Sequence, residues 1–190
     1  MSTTLAHTAK LDTMHKPVIP PDETQRLTAL HNLLIVDTEP EERFDVITAY
    51  AASQFRVPVA LVTLIDASRQ WFKSRVGVQS RETSRELSFC GHTILGDDIM
   101  EVPDIRVDPR FADNPLVLAS PEVRFYAGAP LVVAGNHKVG TLCLFGTQPR
   151  RLSEWERGHL TDLARVVAME LQGIDGKADF EALRANPPAA

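Results

Sequence analysis

The sequence predicts an α+β sandwich, on three observations. Two stretches with apolar residues at helical spacing come early in the chain, and a longer one comes late. Between them lie five or six short runs rich in β-branched and aromatic residues, bounded by Gly, Pro, Asn and Asp. Most of these runs follow one another through short turns, so the sheet is largely hairpin-linked and the helices gather at the two ends of the chain.

The chain is organised around Arg124-Phe-Tyr-Ala-Gly-Ala-Pro-Leu-Val-Val133 and Val139-Gly-Thr-Leu-Cys-Leu-Phe145. Ala134-Gly-Asn-His-Lys138 joins them, and a Gly-Asn turn between apolar runs predicts a β-hairpin. Both strands are apolar on both faces, which places the hairpin in the middle of a sheet covered on either side. Gly128 and Gly140 inside these strands mark a close approach, of a ligand or another backbone, and close packing of a helix on the sheet is the plainer account.

Taken in order, residues 1–20 lack periodicity and end in Pro17-Val-Ile-Pro-Pro21, an extended or disordered arm. Asp22, with Gln25 three residues on, marks a helix start, and Leu27, Leu30, Leu33 and Leu34 follow as its stripe. Thr38-Glu-Pro-Glu41 reads as a capping box for a second helix with Phe44, Ile47, Ala51 and Phe55 on one face. Val59 to Ile65 is a buried strand that turns through Asp66 to Arg69 into an alternating strand. In that partner, Trp71, Lys73 and Arg75 take one face and Phe72, Ser74 and Val76 the other.

Thr83-Ser-Arg-Glu86 is a further capping box ahead of a helical turn over Cys90 to Ile94. Ile99 to Val102 is a short strand, and the Pro- and Asp-rich residues 103–118 form a structured loop. Ser153-Glu-Trp-Glu156 caps a long helix with Trp155, Leu160, Leu163, Val166, Val167 and Leu171 as its stripe, ended by Gly173. The domain therefore runs over 21–173, with 174–190 a polar tail that leaves no room for an output domain.

Composition narrows the function. At 190 residues, 44% hydrophobic and 24% charged, the chain has the make-up of an ordinary soluble domain. Its net charge of −5 gives no electrostatic footprint for nucleic acid or an anionic membrane. The longest apolar run, Val57 to Ile65, is too short to span a bilayer, and residues 1–20 lack a signal-peptide core. Cys90 and Cys143 have no metal-ligand spacing and fit a reducing, cytoplasmic setting. The carboxylates Asp104, Asp108 and Asp113 lack calcium-loop spacing and are turn-formers.

Cys90 and His92 are the candidates for chemistry. Residues two apart on a helix do not face one another, so a direct dyad is geometrically poor, and a small buried thiol beside a hydrogen-bonded histidine is the plainer account.

Arg124 to Leu131 together with Asn136-His-Lys-Val-Gly-Thr-Leu-Cys143 resembles the central hairpin of a GAF domain. The resemblance runs from about Pro21 to about Gly173 and is strongest to bacterial modules that precede diguanylate cyclases and sensor histidine kinases. It takes in Phe89-Cys-Gly-His92 as a pocket-side motif and Asp108-Pro-Arg-Phe-Ala-Asp-Asn-Pro-Leu116. The resemblance implies a six-stranded antiparallel sheet with terminal helices on one face and a pocket closed by loops and short helices on the other. It also implies a ligand site at Trp71, Phe89, Cys90, His92, Asp104, Phe125, Tyr126, Ala127 and Gly128.

Members that attach a bilin place His directly after Cys, whereas Gly91 intervenes here, and no cofactor is identified. The reading is a sensor that binds a small molecule rather than a catalyst. It would signal as a homodimer through its terminal helices to a separate output protein, without nucleic acid or membrane. The alternative is a thiol-based redox enzyme or sensor centred on Cys90, similar to the family's free methionine sulfoxide reductases. That chemistry needs two sulfurs able to meet.

Overall fold

A computed structural model describes residues 15–120 and 122–187. Most of the N-terminal arm lies outside them. Residues 15–20 run extended along the surface, with Pro17 and Pro20 buried.

Helix α1 (Glu23–Asn32) buries Leu30 and, unexpectedly, Arg26, which is 1% exposed. Leu34 falls beyond the helix at φ 52°, off the stripe, and is 83% exposed. Asp22 makes no capping bond but faces the His137 ring at 3.3 Å. Helix α2 (Glu42–Gln54) buries the expected Phe44, Ile47 and Ala51, with Phe55 just past its end.

Its predicted capping box does not form, because residues 38–41 are committed elsewhere. Thr38 Oγ1 donates to the Ile35 carbonyl at 2.7 Å and accepts from Lys73 Nζ, and the Glu41 carboxylate sits 2.6 Å from that same ammonium. A fully buried lysine needs a partner, and this requirement outweighs a local cap.

Strands β1 (Val59–Ile65) and β2 (Arg69–Val76) form the expected hairpin, but β2 does not alternate throughout. A bulge at Lys73 shifts the register between Val62 and Thr63. Ser74 therefore faces α2, where its hydroxyl donates to Asp45 at 2.6 Å.

After β3 (Glu82–Ser84) and a single tight turn over Arg85–Leu87 comes α3 (Phe89–Thr93). Its cap is Ser88, whose Oγ accepts from Gly91 N at 2.8 Å; Thr83 belongs to a strand and caps nothing. Strand β4 (Met100–Val102) follows, then a loop and α4 (Pro115–Ala119), capped by Asn114. The central hairpin is β5 (Phe125–Val133) and β6 (His137–Gly146), turned by Gly135 and Asn136, both at positive φ.

Helix α5 (Glu154–Leu171) carries the full Ser153–Glu156 capping box and ends before Gly173, at φ 73°. Its Trp155 is 37% exposed and stacks on His159 instead of entering the core. Within the stretch read as a polar tail, α6 (Lys177–Ala185) forms because Phe180 docks edge-on against Tyr50, with ring centroids 5.5 Å apart.

The six strands make one antiparallel sheet in the order β3-β2-β1-β6-β5-β4. One face packs against α1, α2 and α5 around Leu64, Leu142, Leu144, Leu160 and Leu163. The other is covered by residues 85–120 and Val123, around Phe72, Phe89, Ile105, Phe111 and Tyr126. The stripes of α1 and α5 are thus largely consumed in the chain's own core. No described helix is long and apolar enough to cross a membrane.

Candidate functional site

The site follows from the parity of the strands. Along β5, Tyr126 points away from the helices, while Phe125, Ala127 and Ala129 point toward them. Trp71, Phe125 and Ala127 therefore belong to the helical core, on the opposite side of the sheet from Cys90. Asp104 sits at the sheet edge, where it binds Arg124 at 2.6 Å and accepts from the Arg106 amide. His92 lies at the margin, 3.0 Å from the His15 carbonyl and edge-on to Phe111. Burial holds its pKa below the usual histidine value, with the positive charge of Arg110 adding to the effect.

The structure does bring Phe89, Cys90, Tyr126 and Gly128 together. Phe89 stacks on Phe111 with centroids 4.1 Å apart and meets Phe145 edge-on. The space a side chain at Gly128 would fill is taken by the Tyr126 hydroxyl, which bonds Thr93 Oγ1 at 2.7 Å. Gly128 thus answers to close packing within the chain.

Cys90 and Cys143, 53 residues apart in sequence, touch at 3.5 Å between sulfurs, both fully buried. Burial disfavours the Cys90 thiolate, but hydrogen bonds from Cys143, Thr141, Thr63 and Tyr126 outweigh it and lower the pKa to about 7. Burial raises Cys143 well above its ordinary value, as does the neighbouring Cys90 sulfur. Neither sulfur has a path to a bulky reagent. Ellman's reagent is expected to leave native protein unlabelled and to count both thiols after denaturation; fast native labelling would show that this core opens.

The open space lies beside this packed centre. A cavity of about 310 Å3 separates the outer face of β1, β2 and β6 from α4, Ser120, Glu122 and Val123. Phe72, Phe89 and Phe145 form its aromatic walls and Leu61 and Val117 much of the rest. Gln70, only 4% exposed, faces it, and Gln70 Oε1 has no hydrogen-bond partner. Thr83, paired with Gln70 across β2 and β3, leaves its Oγ1 buried and unpartnered at the same wall. Of the residues expected to form the site, Phe89 alone lines this cavity. Gln70 and Thr83 were missed; the available signal was a glutamine alternating with Phe72 on one strand face.

Comparison with known proteins agrees with this architecture. The GAF domain family model matches residues 39–171. A cyclic di-GMP phosphodiesterase of Pseudomonas aeruginosa is 41% identical over 162 residues, 85% of this chain, and the matched part spans 28% of that protein's length. A type II free methionine-R-sulfoxide reductase from Thermoplasma acidophilum superposes with TM-score 0.58 at 12% identity, over 70% of this chain and 92% of that one. The Thermosynechococcus elongatus PixJ GAF domain, in its blue-light-absorbing form, gives TM-score 0.56 at 17% identity, over 88% of this chain and 96% of that one. At such identities these two likenesses speak to the fold alone. On the family match and the six-stranded architecture, the chain belongs to the GAF domain family.

Proposed function

We propose that this GAF domain is a bacterial, cytoplasmic regulatory module that binds a small molecule in the cavity over β1, β2 and β6. The observation that carries the reading is a largely apolar cavity with two buried polar atoms unpaired at its wall, the make-up of a small-molecule site. Occupancy would be relayed through the sheet to α1 and α5, whose outer faces would join two copies. The output would lie in a partner enzyme that makes or breaks cyclic di-GMP, by analogy with the Pseudomonas relative. The relay requires that the ligand favour one helix arrangement over the other.

Native mass spectrometry of protein purified from its own host tests this. The expected result is a dimer carrying a non-covalent mass that is lost on denaturation and is absent from Val117→Trp, which fills the cavity. Bare protein in both cases would overturn the reading.

A second reading is favoured by one observation, the 3.5 Å contact between Cys90 and Cys143. Here hydrogen peroxide would take two electrons and two protons from the thiols, giving a disulfide and two waters. Thiols counted after peroxide treatment and denaturation decide it: two remaining favours the binding module, none favours the redox sensor.

A further inference from the structure

We infer that the occupant is an uncharged, largely apolar molecule that donates a hydrogen bond to Gln70 and Thr83. This rests on the cavity being the ligand site. Size comes first: about 310 Å3 holds roughly 12 non-hydrogen atoms at the packing density of a protein interior.

Charge comes second. Among the described residues no lysine, arginine or histidine lines the cavity, and the one ionisable side chain there is Glu122, which is exposed. A carboxylate or phosphate would lose its hydration and find no cation in exchange, a large penalty.

Hydrogen bonding comes third. Gln70 Oε1 can only accept, and it has nothing to accept from; Thr83 Oγ1 is likewise unpartnered beside it. Two other wall hydroxyls are already engaged: Ser80 donates to the Glu82 carbonyl at 2.6 Å, and Ser88 accepts from Gly91 N. An unpaired acceptor on a residue of the cavity wall therefore selects an occupant with an O–H or N–H to give. An alcohol, a phenol or an amide on a short alkyl or aromatic body satisfies all three conditions.

Equilibrium dialysis with three matched probes tests the class: para-butylphenol, its methyl ether, and para-butylbenzoate. The phenol is expected to bind, the ether about tenfold more weakly because a buried acceptor stays unpaired, and the benzoate not measurably. In Gln70→Leu the phenol should fall to the affinity of the ether. Thr83→Val, which keeps the side chain's shape, should narrow the same gap.

Equal binding of ether and phenol, or benzoate binding as tightly as phenol, would overturn the ligand class while leaving the cavity a ligand site. Failure of all three probes to bind would overturn the cavity as a site together with its occupant.

Discussion

Replacing Glu23 by alanine is expected to cost about 3 kcal/mol. The Glu23 carboxylate holds two buried arginines: Arg26 at 2.8 Å, and Arg85, 4% exposed, at 2.5 Å. Arg26 also donates to the Ile65 carbonyl at 2.7 Å, so the cluster ties α1 to the β1–β2 hairpin. Without Glu23 two guanidinium groups would stay buried with no carboxylate between them, which costs more than the pair contributes when intact. At this chain length the loss should lower the melting temperature by roughly 6–12 °C. Adding Arg26→Met should recover part of it, since one uncompensated charge is then gone.

The same cluster sets an acid limit. Burial works against the Glu23 carboxylate, but hydrogen bonds and charge from Arg26 and Arg85 overcome it and bring the pKa from 4.5 down to about 2. A depressed pKa means that the folded state favours the charged form. Its contribution, about 2 kcal/mol after solvent screening, is therefore complete above pH 4.5 and lost as pH falls toward 2. Denaturation of wild type and Glu23→Ala between pH 7 and pH 2.5 should show the two converging. A constant gap across that range would remove the carboxylate from the explanation.

Gly140→Ala is expected to be at least as damaging, at about 3 kcal/mol or more. A Cβ at this position of β6 would land on the Thr63 carbonyl oxygen of β1 and within 3.0 Å of Leu64 Cα. Both strands are central, so neither can move aside without breaking the β1–β6 ladder. Gly158→Ala in α5 is the control: nothing lies within 4 Å of the added carbon, and it should stabilise by about 0.8 kcal/mol. Urea midpoints for the pair should move in opposite directions; an unmoved midpoint in Gly140→Ala would mean that β1 and β6 do not approach this closely.

These two positions show what the sequence makes legible. Glycine in the central hairpin signals a close approach, but at Gly140 the approaching group is the backbone of neighbouring β1 and not a helix packed on the sheet. The hairpin, the α2 stripe and the Ser153 cap were readable because each is written within a dozen consecutive residues. The boxes at Thr38 and Thr83 misled because a short motif says nothing of distant partners: Lys73 claims Thr38 and Glu41, and β2 claims Thr83. Site residues divide by strand parity: alternation sets Phe125 and Ala127 opposite Tyr126, but with both faces of β5 apolar it does not say which side meets the helices. The Cys90–Cys143 contact joins segments 53 residues apart, which no local pattern connects.

The bulge at Lys73 has a consequence for both faces of the sheet at once. A pleated strand keeps its even-numbered residues on one side, so an uninterrupted β2 would aim Gln70, Phe72, Ser74 and Val76 the same way. The inserted residue resets the phase midway. Gln70 and Phe72 look into the cavity, while Ser74 reaches Asp45 of α2 and Val76 packs on the helical core. One strand thereby serves two compartments in succession, and deleting a single residue there would put either the cavity's polar wall or the helix anchor on the wrong side.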